Sequence, residues 1–152
     1  LHIANRDAAR AQALVSQLRA SLPASLPEPG ATSVAEPPLH ALALADLADL
    51  PDAAAQPFDL IINATSASLS GVSLALPPSL FRGCALAYDM MYGPAAQPFL
   101  DWARNHGAVA RDGLGMLVEQ AAESYALWRG IRPPSARVLA ELRALLLTEA
   151  AH

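Results

Sequence analysis

Residues 58–63 read Phe-Asp-Leu-Ile-Ile-Asn, a short, nearly unbroken apolar run that stops on a polar residue. A run of this length is too short for a stable helix and suits a strand. Its pattern is continuous rather than alternating, as in a strand covered on both faces of a parallel sheet. Parallel strands need crossover connections, usually helical, so this one segment already implies alternating strands and helices.

The rest of the chain supplies that alternation. Residues 1–4 read as the end of a buried strand. Residues 6–20 form a helix whose apolar face carries Ala11, Leu14, Val15, Leu18 and Leu22, with Asn5 or Asp7 placed to cap it. Residues 23–38 hold five prolines and show no period, which predicts a surface loop. A short strand at 39–44 and a brief helix at 46–50 follow. Strands are then expected at 58–63, 85–89 and 108–111, with a helix at 97–106 that turns Phe99, Leu100 and Ala103 inward. Two helices close the chain, at 114–128 and 135–149, the second capped by Ser135 and bearing Val138, Leu139, Leu142, Leu145 and Leu146 on one face. The predicted class is α/β: a Rossmann-like parallel sheet flanked by helices, followed by two C-terminal helices. Ligands of such sheets lie beyond the carboxyl ends of the strands, so chemistry is expected after residues 4, 63 and 89.

Composition removes several alternatives. A net charge of −4 disfavours a nucleic-acid surface. No apolar stretch approaches the roughly 20 residues of a membrane helix, and no segment reads as a signal peptide, so a cytoplasmic location is expected. The single cysteine, Cys84, rules out an internal disulfide framework or a multi-cysteine zinc site and reads as a small strand hydrophobe. No metal is expected. All ten basic residues are arginine. With no lysine in the chain, a lysine acid or Schiff base is excluded.

The first strand end carries Asn5-Arg6, and Arg10 follows four residues later. In dinucleotide-binding sheets an acidic residue at this place favours NAD, whereas an arginine accommodates the 2′-phosphate of NADP. Helical spacing would set Arg6 and Arg10 on one face, near the positive helix end. The same string also fits an ordinary solvated first turn, with Asp7 paired to Arg10.

Four strings in order resemble the shikimate dehydrogenase family over nearly the whole chain. They are Asn5-Arg6-Asp7-Ala8-Ala9-Arg10-Ala11, Asp59 to Ser66, Tyr88-Asp89-Met90-Met91-Tyr92 with Pro94, and Asp112-Gly113-Leu114-Gly115-Met116-Leu117-Val118-Glu119-Gln120-Ala121. The resemblance implies NADP as cofactor, with Asn5, Arg6 and Arg10 at the adenosine 2′-phosphate, Thr65 and Ser66 lining the cleft, and Met90 and Gly113 at the nicotinamide half. It also implies that Tyr92 and Gln120 touch the substrate, shikimate or 3-dehydroshikimate. From the residues alone, Gln120 equally reads as a surface glutamine, Met90 and Met91 as core, and Asp89 as an acceptor fixing its loop. Ala67-Ser68 departs from the family, which usually has a glycine at the second position.

The family also implies parts that this sequence does not contain. A glycine-rich phosphate turn would precede Leu1, and no Gly-x-Gly-x-x-Gly occurs in the chain. A preceding substrate domain would supply a lysine and an aspartate for proton transfer, so no catalytic residue is assigned here. The expected division is an incomplete NADP-binding domain at 1–112 and helices at 113–152 that pack on that substrate domain. Those helices should show an exposed apolar surface. The expected activity is reversible NADPH-dependent reduction of 3-dehydroshikimate to shikimate, in aromatic amino acid biosynthesis, with a homodimer left open. The alternatives are a quinate/shikimate dehydrogenase of broader specificity and a truncated, non-catalytic module binding a nucleotide or a protein.

Overall fold

A computed structural model of the chain describes residues 1–21, 38–49, 58–67, 74 and 76–149, except the side chains at 48, 49, 84 and 149. The chain divides into two compact units, Leu1–Asp52 and Ala53–His152.

In the first unit, β1 (His2–Asn5) pairs in parallel with β2 (His40–Ala43), from His2 opposite His40 to Asn5 opposite Ala43. Between them runs α1 (Ala8–Ser21), which buries Ala11 and Val15. A 3-10 turn, Leu44–Asp49, replaces the brief helix expected at 46–50. The apolar face of α1 is narrower than its spacing suggests, because Leu14 stays 44% exposed. Leu22 and most of the proline-rich segment lie outside the described residues.

The start of α1 decides between the two caps that the sequence offers and moves the helix start from Arg6 to Ala8. Asp7, not Asn5, caps it: the Asp7 carboxylate accepts from the backbone N–H of Ala9 at 2.9 Å and of Arg10 at 3.4 Å. Asn5 Oδ1 instead accepts from Asp7 N–H at 3.0 Å, forming the preceding turn. The helix therefore opens at Ala8, and Arg6 sits in the turn before it. The expected one-face relation between Arg6 and Arg10 assumed a helix that had already begun at Arg6.

The second unit is a three-stranded sheet, β3 (Phe58–Asn63), β4 (Phe81–Asp89) and β5 (Val109–Arg111), parallel at both pairings. Strand β4 starts four residues before the expected strand at 85–89, and Phe81 lies opposite Phe58. The register shifts between Phe58 and Leu60, so the early part of β4 pairs irregularly and breaks the apolar pattern there. Helix α2 (Gln97–Asn105) covers one face, burying Phe99, Leu100 and Ala103 as expected. Ala87 and Ala110 are buried on this face, with Ile61 packed against them, so small strand residues let the helix approach closely. The other face carries Leu60 and Ile62, 49% and 56% exposed. Of the double coverage expected of β3, the described residues show the Ile61 side, where α2 packs.

Two helices follow. Helix α3 (Leu114–Arg129) ends at Gly130, whose φ of 71° is left-handed and suits glycine. Helix α4 (Ser135–Glu149) packs beside it. Ser135 is the first residue of α4 rather than its cap, because the Pro134 carbonyl already accepts from Arg137 and Val138 N–H. Arg143 of α4 pairs with Asp112, just before α3, at 2.8 Å. Large apolar side chains stay open on these helices: Leu127 is 84% exposed, Trp128 78% and Leu147 74%. Among the described residues no helix is long and apolar enough to cross a membrane.

Candidate functional site

Strands β3 and β4 are neighbours in parallel register, so their last residues, Asn63 and Asp89, lie side by side. Each is a polar end to an otherwise largely apolar strand, and both are buried, Asn63 4% exposed and Asp89 0%. Polar groups so deep require partners, and these two satisfy each other: Asn63 Nδ2 donates to Asp89 Oδ2 at 3.0 Å. The remaining oxygens reach the loops. Asn63 Oδ1 accepts from Thr65 N–H at 3.1 Å and from the Thr65 hydroxyl at 2.8 Å. Asp89 Oδ1 accepts from Met91 N–H at 2.8 Å. The Asn63 carbonyl accepts from Met90 N–H at 3.0 Å.

A third segment closes on the same loops. Gly113 N–H donates to the Met91 carbonyl at 2.9 Å. A Cβ at Gly113 would lie 2.1 Å from the Met90 carbonyl oxygen and 2.7 Å from its carbon, distances no side chain tolerates. Only glycine allows the start of α3 to sit this close to the loop after β4.

Four residues singled out from the sequence, Thr65, Ser66, Met90 and Gly113, therefore stand on loops tied together at the carboxyl ends of β3 and β4. The two methionines separate: Met91 packs on the core, whereas the Met90 side chain is 42% exposed. Tyr92 follows, 40% exposed. Gln120 is exposed on α3, and Met116, between it and Gly113 in the helix, is 39% exposed. Among the described residues no hydrogen bond links the Tyr92 or Gln120 side chain to the loop cluster. Asn5, Arg6 and Arg10 belong to the first unit, where the Arg10 guanidinium is 81% exposed and lies 3.7 Å from the Asp7 carboxylate. The sequence reading treated Asn63 only as the stop of a strand. Its signal was available: two polar residues ending adjacent parallel strands become lateral neighbours.

Beside α2 and β5 lies a cleft of about 360 Å³ lined by Arg104, Arg111 and Arg143, among others. Arg104 and Arg143 are each paired at 2.8 Å, with Asp101 and Asp112. Among the described residues no group of three or more metal-binding side chains is gathered.

The chain is similar to known proteins over most of its length. Residues 113–143 match the family model of the shikimate 5′-dehydrogenase C-terminal domain. The chain is 54% identical over 145 residues to the shikimate dehydrogenase (NADP(+)) of Acidovorax sp. strain JS42, covering 95% of this chain and 45% of that protein. It is 60% identical over 113 residues to the protein of the same name from Dechloromonas aromatica strain RCB, covering 70% and 41%. The chain thus spans somewhat under half the length of these curated relatives. Among solved structures it is similar to an Ael1 enzyme from Pseudomonas putida, with 40% identity, a TM-score of 0.69 and coverage of 93% and 45%. It is also similar to a shikimate 5-dehydrogenase of Thermus thermophilus in complex with NADP(H) and shikimate, with 26% identity, a TM-score of 0.64 and coverage of 94% and 45%.

Proposed function

We propose that this chain, which belongs to the shikimate dehydrogenase family, carries the cofactor-binding part of an NADP-dependent oxidoreductase that reversibly reduces 3-dehydroshikimate to shikimate. The observation that carries this reading is the joining of Thr65, Met90 and Gly113 by hydrogen bonds and close approach beyond β3 and β4, where open parallel sheets bind ligands.

The residues suit such a cofactor. Arg6 and Arg10 offer exposed guanidinium groups next to the amino end of α1, a setting that favours a phosphate dianion over a hydroxyl. Asn5 holds the turn that carries them through its bond to Asp7 N–H. Thr65 and Ser66 line the cleft, with the Thr65 hydroxyl fixed by Asn63. Met90 offers an exposed apolar side chain, and Gly113 gives backbone without side-chain bulk. Tyr92 and Gln120 supply an O–H and an amide for the hydroxyls or carboxylate of a polyol acid. When bound, the nicotinamide supplies the hydride chemistry, and the protein supplies orientation and electrostatics.

No lysine is present, so the proton-transfer pair of the family is assigned to a part of the enzyme outside residues 1–152. The same reading assigns residues 1–112 to the NADP-binding domain and 113–152 to helices that pack on the substrate domain. The exposed Leu127, Trp128 and Leu147 support that assignment. A cytoplasmic enzyme of aromatic amino acid biosynthesis, in which a homodimer is compatible with the open faces, completes the proposal.

The test is NADPH-linked turnover of 3-dehydroshikimate by the complete protein, with shikimate and quinate offered in reverse. Turnover of 3-dehydroshikimate and shikimate with little on quinate is expected. Comparable turnover of quinate would replace the reading with a broader dehydrogenase, and no turnover by the folded protein would discard it.

A further inference from the structure

We propose that Asn63 and Asp89 are positioning residues: together they hold the Thr65 loop and the Met90–Met91 loop as one unit and so set where the nicotinamide end of the cofactor is received. The proposal rests on the NADP reading above for its ligand, and on the hydrogen-bond pattern for its mechanism.

The pattern admits one polarity. The Asp89 carboxylate is 0% exposed and, when ionised, can only accept. It accepts from Met91 N–H through one oxygen and from the Asn63 amide through the other. The orientation of Asn63 follows, since its NH₂ is committed to Asp89 and its oxygen to the N–H and O–H of Thr65. A chain of bonds thus runs from the Met91 backbone through two side chains to Thr65. Met90 is fixed from both sides, by the Asn63 carbonyl on its N–H and by Gly113 against its own carbonyl. Neither Asn63 nor Asp89 need touch the cofactor. Both act through Thr65 and Met90.

Inverting this polarity keeps the bonds described. In the doubly exchanged protein, Asn63→Asp with Asp89→Asn, a carboxylate at 63 still accepts from Thr65 and an amide at 89 donates to it. The amide oxygen at 89 still accepts from Met91 N–H, so the four bonds described are all kept. Each single exchange breaks one. Asn63→Asp sets two carboxylates face to face, and Asp89→Asn sets an NH₂ against another donor whichever way it turns.

The experiment uses the complete protein and two readouts that need no turnover: NADPH affinity by fluorescence titration, and hydrogen exchange of the Thr65 and Met91 amides. Each single variant is expected to weaken NADPH binding roughly tenfold or more and to speed both amides by a similar factor, with the double exchange within about threefold of the parent. In turnover, the KM for NADPH should rise more than kcat falls. A merely structural role would lower the melting temperature of the singles while leaving the affinity of the folded protein unchanged, and that result overturns the proposal. A double exchange no better than the worse single overturns it too. If the singles do not fold, Thr65→Val, which removes only the hydroxyl leg, should speed exchange of the residue 65 and Met91 amides as well as weaken NADPH binding; unchanged exchange at Met91 would count against the proposal. If the parent protein binds no NADPH, the functional reading fails, while amide exchange still reports whether the pair couples the loops.

Discussion

The loop cluster at Thr65, Met90 and Gly113 and the turn at Asn5 to Arg10, each proposed above to serve NADP, are built on opposite principles. The cluster hangs from two buried side chains, has backbone groups on three segments bonded to one another, and leaves no room for a side chain at Gly113. The turn is an exposed helix entry whose arginines stand in solvent, with Arg10 near Asp7 but still largely open. The difference fits the role proposed for each. Recognising a phosphate takes charge, which acts over several ångströms and tolerates movement. Receiving a reactive ring takes fixed position, which only packing and satisfied hydrogen bonds provide.

If that contrast holds, substitutions should divide by mechanism. The largest effect is expected from Asp89→Ala, which strands the Asn63 amide and Met91 N–H in the interior. Chemical denaturation should show a loss of about 3 kcal/mol or more, from two buried donors left without partners. Gly113→Ala comes next. Its methyl group must push the Met90 carbonyl by about 1 Å, so a loss of about 2 kcal/mol is expected, with NADPH affinity falling alongside stability. An alanine there that changes neither would show that the cluster is looser than its distances imply. In the turn the order reverses, with function lost and stability kept. Arg6→Ala should weaken NADP binding by roughly tenfold, about 1.4 kcal/mol, leave NAD binding unchanged, and matter less as salt is added. A salt-independent loss would mean that Arg6 acts by packing. The smallest effect is Asp7→Ala, which removes the α1 cap and should cost about 1 kcal/mol of stability with little change in affinity.

The same contrast explains what the sequence made legible. Helices α2, α3 and α4 and strand β3 were readable because their apolar residues repeat at short range, whereas Thr65, Met90 and Gly113 were singled out only because they lie in strings that resemble a family. The entry to α1 was left open because Asn5 and Asp7, two residues apart, are both capping residues and only geometry decides which accepts from the helix. The first residues of β4 were missed because Arg82 and Gly83 interrupt the apolar run where the register shifts. Leu60 and Ile62 stay about half exposed in β3, since an apolar pattern records that a face is to be covered and not by what. Asn63 escaped because its meaning depends on Asp89, 26 residues away.

That separation also has a consequence in time. The bond between Asn63 and Asp89 spans 26 residues of chain, so it forms only after the crossover between two parallel strands has closed. It further demands the right register, because a slip of one residue turns Asn63 to the opposite face of the sheet from Asp89. Helical content, which is local, is then expected to return earlier in refolding than the floor of the proposed nicotinamide site. A nascent or damaged chain can look folded by its helices well before it is able to receive a cofactor.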